Sequence, residues 1–469
     1  MKIYDRLYKE MKFPPIIIEL LNCPGLLRLR DVRMANNQFV AFPSFASSSR
    51  YEHSLGVCYL AGICADSMEL AEKDRTELMV ACLYHDVGTP PFAHAMEEVL
   101  QIKFGFDHEQ NLKNLIMGTT GVFDREFAQI YQGQGLKILS VCQSREARRI
   151  GLDIHRIAHL AAGDSRELLS DLVNSKGMDL DNIDNIFRAS SAMGLIAGEC
   201  GETAKMLAGS FVVKEGQICL NGMYVDQIRE WQRIRDLQYT AIFESIEDFA
   251  YQTMIKRAIN LLLEEDCNTT VLDINSWRLT DSEMTYNVLL RHTKSRDIMK
   301  RVLLCKPYVC LGILYVKGNG VVNYINKNLQ KIEKVAGEYF VDFMGMTDKK
   351  IKSIGIPPVV ANFYPDKRKR MIANKVFLWN EEIKVCNSED YPQGVLLGLF
   401  SPFSNNNFKN VEVEGKNLRK KISFRKSELE VMCNILEEGL LKNFEVSLYG
   451  GEDNGKAYSD FESNQLGLF

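Results

Sequence analysis

Apolar residues recur every three or four positions through most of the first half of the chain, a spacing that predicts amphipathic helices. One predicted helix starts near Ser54 and carries its apolar residues on one face: Val57, Leu60, Cys64 and Met68. In the preceding segment, 14–46, two short apolar runs lie on either side of a predicted helix that carries Leu26, Leu27 and Leu29. The first half of the chain is therefore predicted to be mostly helical.

The next helix is predicted to begin at Asp74, because the Asp and Glu of Asp74-Arg75-Thr76-Glu77 lie three residues apart, as in a capping box. It ends at His85-Asp86, since Gly88-Thr89-Pro90-Pro91 follows and both glycine and proline break helices. Another helix is predicted over 92–102. His85 and Asp86 are therefore expected at a helix end.

Similar signals continue along the chain. Asp107 is predicted to cap a helix that begins with His108. Later helices are predicted over 164–172, 180–187 and 225–264, and a β-hairpin over 211–220.

After Asp266 the pattern changes, and runs of apolar residues predict strands at three places: 308–316, 375–379 and 394–400. An amphipathic helix is predicted over 427–441. These patterns predict a mainly α protein with a mixed α/β C-terminal region. We expect an N-terminal segment (1–46) that packs on the core, a helical core domain (47–265) and a C-terminal α/β region (266–469) of unknown role.

Composition narrows the class of protein. The 469 residues are 46% hydrophobic and 25% charged, with a net charge of −4, so no overall field recruits nucleic acid or an anionic membrane. The 12 cysteines include no CxxC pair, which is typical of reduced, cytosolic proteins. No stretch approaches the ~20 apolar residues of a membrane span. We therefore expect a cytoplasmic protein without a membrane partner.

Two basic runs, 367–370 and 419–426, are the local exceptions to this charge balance. Most such runs are solvated faces, but either could collect phosphates from a nucleotide or an RNA. A nucleic-acid partner is thus possible but not favoured by the sequence.

The stretch Leu83 to Glu97 gathers more chemically capable side chains than any other. His85 and Asp86 together offer the imidazole nitrogen and carboxylate oxygen that suit Mn, Fe, Zn or Co. The alternative is that His85 only complements the helix dipole. The chain has 7 His, and four of them fall in its first quarter: His53, His85, His94 and His108. This clustering favours a metal site.

The order of motifs resembles that of the HD-domain phosphohydrolases, and within them the deoxynucleoside triphosphate (dNTP) triphosphohydrolases, both bacterial dGTPase-like members and the animal dNTPase with a sterile-alpha-motif domain. The motifs that carry the resemblance are Arg28-Leu29-Arg30, Phe42-Pro43, Arg50-Tyr51-Glu52-His53, His85-Asp86-Val87-Gly88, Pro91-Phe92-Ala93-His94, His108-Glu109 and the block 177–184. The resemblance runs from about Pro15 to about Arg257 and implies an HD-domain helical core.

By this resemblance, four residues are the metal ligands: His53, His85, Asp86 and Asp181. Two imidazoles and two carboxylates would balance a divalent ion, with Mn, Fe, Mg, Co and Zn as the candidates. Asp179 and Asp184 are rivals to Asp181, which could also be a helix N-terminal carboxylate stabilised by the dipole.

The resemblance also implies groups that handle the phosphates and the proton. Arg50 corresponds to a phosphate-binding arginine. His94 and Glu97, at i and i+3 on one helical face, form a candidate acid/base pair, with a surface ion pair as the alternative. His108 is a second candidate proton donor, or simply the first residue of a helix. All of these roles serve phosphate ester cleavage.

The chain departs from the family at positions that concern the substrate. Thr89 replaces a histidine common after the signature glycine. Asn182 stands where the animal enzyme has a lysine that contacts the triphosphate, and it is retained as a candidate phosphate contact. Arg235 could supply the missing positive charge, although a solvated arginine is the commoner interpretation. Base preference is therefore open.

His155 and His159 also match the i, i+4 spacing of metal ligands on a helix. The segment lacks the glutamate that follows the first histidine of an HExxH motif. A satisfied or exposed pair is therefore the preferred interpretation.

The leading hypothesis is metal-dependent hydrolysis of dNTPs to deoxynucleoside and inorganic triphosphate. The alternatives are another HD phosphohydrolase, acting on other nucleotides or on single-stranded nucleic acid, and a nucleotide sensor with weak catalysis. The resemblance further implies a homo-oligomer and a possible nucleotide activator, that is, allosteric control.

Overall fold

The structure is a computed structural model that describes residues 2–35, 41–121, 145–164, 167–175, 177–198, 200–262, 272–344, 357–367, 374–379, 381–383, 394–402, 408–413, 416–421 and 426–449. The predicted apolar run at 39–42 lies partly outside the described residues, as do the basic run 367–370 beyond its first residue and parts of 419–426.

The chain forms two compact units. Their boundaries are Met1–Asp248, Ala258–Met299 and Arg368–Glu389 for the first, and Phe249–Arg257, Lys300–Lys367 and Asp390–Phe469 for the second. Residues 1–46 thus belong to the same unit as the helices that follow. So does Ala258–Met299, most of which the sequence pattern assigned to the C-terminal region, and which contributes the buried Trp277.

Helices form most of the first unit, as the spacing of apolar residues predicted. They are α1 (Pro15–Leu20), α2 (Pro24–Arg28), α3 (Pro43–Ala46), α4 (Arg50–Ser67), α5 (Glu72–Tyr84), α6 (His94–Phe104), α7 (His108–Ile116), α8 (Arg145–Ile150), α9 (Ile154–Ala161), α10 (Leu180–Ala192), α11 (Cys200–Ala208), α12 (Val225–Glu244), α13 (Ile246–Leu261), α14 (Asp281–Glu283) and α15 (Arg296–Leu303), of which α13 and α15 also contribute to the second unit. Short 3-10 segments are Leu29–Asp31, Leu168–Leu172, Gly222–Tyr224 and Ile274–Arg278, and Met284–Leu289 is a π-helix.

Helix α4 is the central helix of this unit. Ser49 accepts a hydrogen bond from the backbone N–H of Glu52, whose side chain returns to Ser49, so a capping box starts the helix. Helix α10 approaches it at Gly56, where a Cβ would lie 2.0 Å from Asp184 Oδ1. Glycine is required there because the carboxylate of α10 occupies the space that a side chain would take. The close approach brings α10 against the residues of α4 that face the site.

Three predicted helix starts are wrong. Helix α4 begins at Arg50 rather than near Ser54, because the capping box of Ser49 and Glu52 starts it earlier. The other two starts differ for tertiary reasons. Helix α5 begins at Glu72 without a side-chain cap, because the carboxylates of Asp74 and Glu77 instead bind the guanidinium of Arg156. Helix α6 begins at His94 rather than at residue 92, since Phe92 and Ala93 have φ of 55° and 42°, outside the right-handed helical region. The predicted Asp107 cap of α7 is confirmed by its hydrogen bond from Gln110 N.

Among the described residues, the first unit contains two small sheets. Strands β1 (Lys2–Asp5) and β2 (Lys9–Lys12) form an antiparallel N-terminal hairpin that the sequence pattern did not predict. The predicted hairpin is confirmed as β3 (Phe211–Lys214) and β4 (Gln217–Asn221), and its sheet has the order β3-β4-β7-β8. The added strands are β7 (Val376–Leu378) and β8 (Glu381–Glu382), and β4 pairs with β7 in parallel.

The second unit has a four-stranded sheet with the order β12-β5-β9-β6, all neighbours antiparallel. Its elements in chain order are β5 (Val309–Lys317), α16 (Val321–Met344), β6 (Val360–Pro365), β9 (Gly394–Ser401), the separate hairpin β10 (Phe408–Val413) and β11 (Lys416–Lys421), α17 (Lys426–Glu438) and β12 (Glu445–Leu448). This βαββαβ order with the two helices packed on the sheet is a ferredoxin-like arrangement. The predicted mixed α/β character of the C-terminal region, and with it the fold class, is confirmed.

Within the described residues, no helix combines the length and the apolar character that crossing a bilayer requires.

Candidate metal centre

Three of the four predicted metal ligands converge in the first unit. Donor atoms of His53, His85 and Asp181 lie within 4.8 Å of one another. His53 comes from the first turn of α4, His85 directly follows α5, and Asp181 lies in the first turn of α10. Two imidazoles and a carboxylate at this spacing form a donor set for a divalent metal.

Carboxylates hold both nitrogens of His53. Nδ1 donates to Asp184 Oδ2 at 2.7 Å, and Nε2 lies 2.8 Å from Asp181 Oδ1. Burial acts to lower the pKa of His53, but the hydrogen bonds to Asp181 and Asp184 outweigh it and raise the pKa to about 10. The bond from Nδ1 fixes the ring so that Nε2 points toward Asp181, the arrangement in which a carboxylate orients a metal-binding histidine.

His85 gives the clearest test of whether a metal fits. Its Nδ1 donates to the carbonyl of Cys82 at 2.7 Å. This nitrogen therefore does interact with the C-terminal end of α5, as the alternative interpretation of His85 expected. Its Nε2 is buried and makes no hydrogen bond among the described residues; Asp86 Oδ2 and Asp181 Oδ1 lie 3.6 and 3.7 Å away. A buried nitrogen without a partner is unfavourable. A divalent ion between these atoms would satisfy it.

Asp86 lies beside the cluster and is held by an arginine. Both of its carboxylate oxygens lie 2.7 Å from Arg50 Nη1, and Thr89 Oγ1 donates to Oδ1 at 3.0 Å. Burial acts to raise the pKa of Asp86, but the Arg50 guanidinium outweighs it and holds the pKa well below its usual range. Arg50, the expected phosphate ligand, therefore also pairs with an expected metal ligand.

The two rivals of Asp181 have other contacts. Asp179 is the N-cap of α10 and accepts from the backbone N–H groups of Asn182 and Ser175. Asp184 lies behind His53, on the side away from Asp181. Of the three carboxylates, Asp181 is thus the one that faces both imidazoles.

Behind His53 lies a largely buried ionic network. Arg188 donates from Nε and Nη2 to Asp184 at 2.8 and 3.0 Å, and from Nη1 to Asp5 at 2.8 Å. Tyr8 donates its hydroxyl to Asp184 at 2.7 Å. The N-terminal hairpin thus contacts the carboxylate that orients His53. Sequence reasoning missed Arg188, Asp5 and Tyr8, although the i, i+4 spacing of Asp184 and Arg188 on a helix was a usable signal.

Replacing Arg188 with alanine is expected to lower the free energy of unfolding by about 3–5 kcal/mol, because it leaves Asp184 and Asp5 buried without their cation. Urea denaturation measures this change. The control is Arg233→Ala, which breaks an exposed i, i+3 pair with Glu230 and should cost less than about 1 kcal/mol. Equal losses in both variants would contradict the role of the buried network.

A second group of candidate residues surrounds Glu97 on helix α6. His94 Nδ1 donates to Glu97 Oε2 at 2.9 Å, and His108 Nδ1 lies 2.9 Å from Glu97 Oε1. Burial acts to raise the pKa of Glu97, but its contacts with His108 and His94 outweigh it and hold the pKa well below its usual range. The structure thus brings together all three predicted acid/base residues. The side chain of His94 is 84% exposed, which leaves its other nitrogen accessible.

The other two residues expected to contact phosphate, Arg235 and Asn182, have partners within the protein. Arg235 is only 8% exposed, with its guanidinium 4.6 Å from the centre of the Tyr239 ring, so the expectation of a solvated arginine is wrong. A guanidinium can be buried beside an aromatic ring because the electron-rich face of the ring attracts the cation. The side-chain amide of Asn182 donates to Asp179 at 2.9 Å. The side-chain nitrogen of Asn182 therefore binds the carboxylate of the N-cap residue of α10.

His155 and His159 do not form a metal site in the described structure. His155 is exposed, and His159 Nδ1 donates to Asp164 Oδ2 at 2.8 Å. The preferred interpretation of this pair, one exposed and one satisfied histidine, is confirmed.

Comparisons with known proteins match part of the chain, including the segment that carries His53 and His85. The HD domain family matches residues 50–134. The deoxynucleoside triphosphate triphosphohydrolase SAMHD1 homolog of Dictyostelium discoideum is 27% identical over 205 residues, 41% of this chain and 36% of that protein. The Mus musculus deoxynucleoside triphosphate triphosphohydrolase SAMHD1 is 33% identical over 105 residues, 21% of this chain and 16% of that protein.

The matches therefore span little more than a third of these relatives at most. Among solved structures, a hypothetical protein from Aquifex aeolicus superposes with a TM-score of 0.60 at 17% identity, covering 86% of this chain and 96% of that one. This likeness shows a shared fold. The chain thus contains an HD domain that carries two of the three converging ligands, His53 and His85, and it is similar over part of its length to deoxynucleoside triphosphate triphosphohydrolases.

Proposed function

We propose that the protein hydrolyses dNTPs to deoxynucleoside and inorganic triphosphate. The observation that carries the proposal is the convergence of His53, His85 and Asp181 within 4.8 Å, on the same unit as the His94–Glu97 pair. Relatives named as deoxynucleoside triphosphate triphosphohydrolases match part of this chain.

In this proposal, His53, His85 and Asp181 hold the divalent ion, with Asp86 beside them as the fourth ligand. A divalent metal bound there supplies Lewis acidity toward a phosphoryl oxygen. Asp184 keeps the His53 ring oriented, and the Cys82 carbonyl does the same for His85.

Arg50 retains the capacity to bind a phosphate. Its contacts with Asp86 use only Nη1, and its Nε is buried with no hydrogen bond among the described residues. A guanidinium carries five N–H donors, so the remaining ones can reach phosphate oxygens while the ion pair persists. Arg50 would thus stabilise the charge that develops on the phosphoryl group.

The proposed reaction also needs a proton for the leaving group. Water oxygen bonds to the α-phosphorus, the bond from this phosphorus to the 5′ oxygen breaks, and the 5′ oxygen takes up one proton from a protein acid. One hydrogen of the water remains on the triphosphate as a P–OH group, and the other returns through solvent to the acid. Glu97 accepts from His94 Nδ1 and so leaves Nε2 to deliver that proton. His108, on the other carboxylate oxygen, is the second candidate donor.

A second candidate is an HD phosphohydrolase for another nucleotide, or a nucleotide sensor with weak catalysis. The observation that favours it is the engagement of Asn182 by Asp179, which withdraws the side-chain nitrogen from a triphosphate. A substrate with fewer phosphates would not need that contact.

The deciding experiment incubates the purified protein with Mn²⁺, Mg²⁺, Fe²⁺ or Co²⁺ and each dNTP, singly and in mixtures, and identifies the products. Deoxynucleoside and triphosphate in equal amounts support the proposal. A nucleoside monophosphate with pyrophosphate, or cleavage of ribonucleotides alone, would contradict it. The mixtures and light scattering also test the predicted nucleotide activator and homo-oligomer.

A further inference from the structure

The turn between α5 and α6, residues 85–93, is here called the signature turn. At its start, His85 and Asp86 belong to the metal centre. Directly after its end, His94 begins the helix that also carries Glu97. The proposed chemistry needs both ends at a fixed spacing, so whatever holds this turn sets the geometry of the site.

Arg28 holds the first half of the signature turn. Its buried guanidinium donates from Nη2 to the carbonyls of Val87 and Thr89, at 3.2 and 2.5 Å. From Nη1 it donates to the carbonyls of Trp277 and Leu279, at 3.2 and 2.9 Å. One planar side chain thus ties the residues after Asp86 to the segment 277–279. Burial lowers the pKa of Arg28 only to about 10, so it remains a cation at neutral pH.

Asp281 holds the second half. Its buried Oδ1 accepts the backbone N–H of Phe92 at 2.9 Å, and its Oδ2 accepts that of Arg33 at the same distance. Phe92 and Ala93 both have positive φ, which is strained for residues with side chains. Such strain persists only where the surroundings enforce it, and a carboxylate bonded to the strained backbone does so. Helix α6 therefore starts from a turn that Asp281 fixes.

We propose that Arg28 and Asp281 are positioning residues that brace the signature turn against the segment Trp277–Asp281. Arg28 sets the metal side and Asp281 sets the His94–Glu97 side. The effect on turnover rests on the proposed function, but the effects on metal affinity and on the turn itself do not. A reacting group misplaced by about 1 Å through a remote substitution can lose about 10²-fold in rate.

The two anchors predict different defects. Arg28→Lys keeps the charge but cannot span four carbonyls. It is expected to weaken the binding of Mn²⁺, measured by calorimetry without nucleotide, by about 10–100-fold. Loss of an outer-shell partner of a metal ligand typically has an effect of this size. Asp281→Asn keeps the shape but presents an NH₂ group to one of its two N–H donors. It is expected to lower kcat about 10–100-fold while the Kd for Mn²⁺ and the KM stay within about threefold.

Asp273→Asn is the matched control. Asp273 caps the adjacent 3-10 helix by accepting from Asn275 N, and it has no contact with the signature turn among its hydrogen bonds. It should leave Mn²⁺ affinity and kcat unchanged. Hydrogen exchange of the Phe92 amide should speed up at least about tenfold in Asp281→Asn and not in Asp273→Asn.

Rescue separates positioning from general damage. Ala93→Gly removes the strain of a positive φ, since glycine adopts it freely. Added to Asp281→Asn, it is expected to raise kcat by at least about threefold over that of Asp281→Asn alone.

The proposal is overturned if Asp281→Asn and Asp273→Asn show the same hydrogen exchange at the Phe92 amide, or if the substitutions of Arg28 and Asp281 reduce Mn²⁺ affinity equally. If the wild-type protein cleaves no dNTP, the proposed function fails, while the exchange and Mn²⁺ measurements still decide on the brace.

Discussion

Replacing His85 with alanine is expected to abolish turnover and to weaken Mn²⁺ binding by more than about 10²-fold while the fold persists. Loss of an outer-shell partner costs 10–100-fold, and removal of a ligand should exceed that. The fold should survive because the substitution removes one hydrogen bond, from Nδ1 to the Cys82 carbonyl at the end of α5, while Nε2 makes none among the described residues. Metal analysis, calorimetry with Mn²⁺ and circular dichroism together test the prediction.

The matched control is His159→Ala, which removes an imidazole that pairs with Asp164 outside the metal centre. It should keep full metal content and activity within a few-fold of wild type. Full metal occupancy in folded His85→Ala would remove His85 from the ligand set. Asp86 is better tested as Asp86→Asn than as alanine, because truncation would leave Arg50 buried without its carboxylate.

Removing either His94 or Glu97 is expected to slow turnover by about 10² to 10⁴-fold, the usual contribution of a general acid. The two losses should not multiply, because Glu97 acts by orienting His94 through a 2.9 Å hydrogen bond. Groups that act as one unit lose most of their function with the first deletion. Turnover of His94→Ala, Glu97→Gln and the double variant measures this, and the double should be little slower than the slower single.

Bound metal should be unchanged in all three variants, since neither residue is among the converging ligands. Gln101→Ala, an exposed position on the same helix, serves as the control and should keep wild-type rates. Multiplicative losses would show that the two side chains act independently. Loss of metal in His94→Ala would make His94 a ligand.

Local signals in the sequence were enough for much of this protein. Helical spacing located α4 and α10 because their apolar residues repeat with the helical period, and the Asp107 cap located α7. A hairpin was identified at 211–220 because its glycine turn separates two strand-like runs. The motif order also named His53, His85 and Asp181, whose convergence the structure displays.

Tertiary structure alone decided how side chains far apart in sequence combine. Asp74 and Glu77 resemble a helix cap in the sequence but bind Arg156, because charge-assisted hydrogen bonds from a guanidinium compete more strongly for carboxylates than a helix N-terminus does. Arg235 is buried rather than solvated. The extent of the first unit likewise followed from packing, since the change of sequence pattern after Asp266 assigned most of Ala258–Met299 to the C-terminal region.

The choice among Asp179, Asp181 and Asp184 also separates what the sequence determines from what the tertiary structure decides. Their sequence spacing offers three carboxylates within one and a half helical turns, and each could be a ligand. The folded chain assigns Asp179 to the N-cap and Asp184 to Arg188, which leaves Asp181 facing the two imidazoles. Periodicity and motif order are local properties that a sequence carries directly. Which partner each buried charge finds depends on contacts across more than a hundred residues, such as the 131 between His53 and Asp184, and these exist only once the helices have packed.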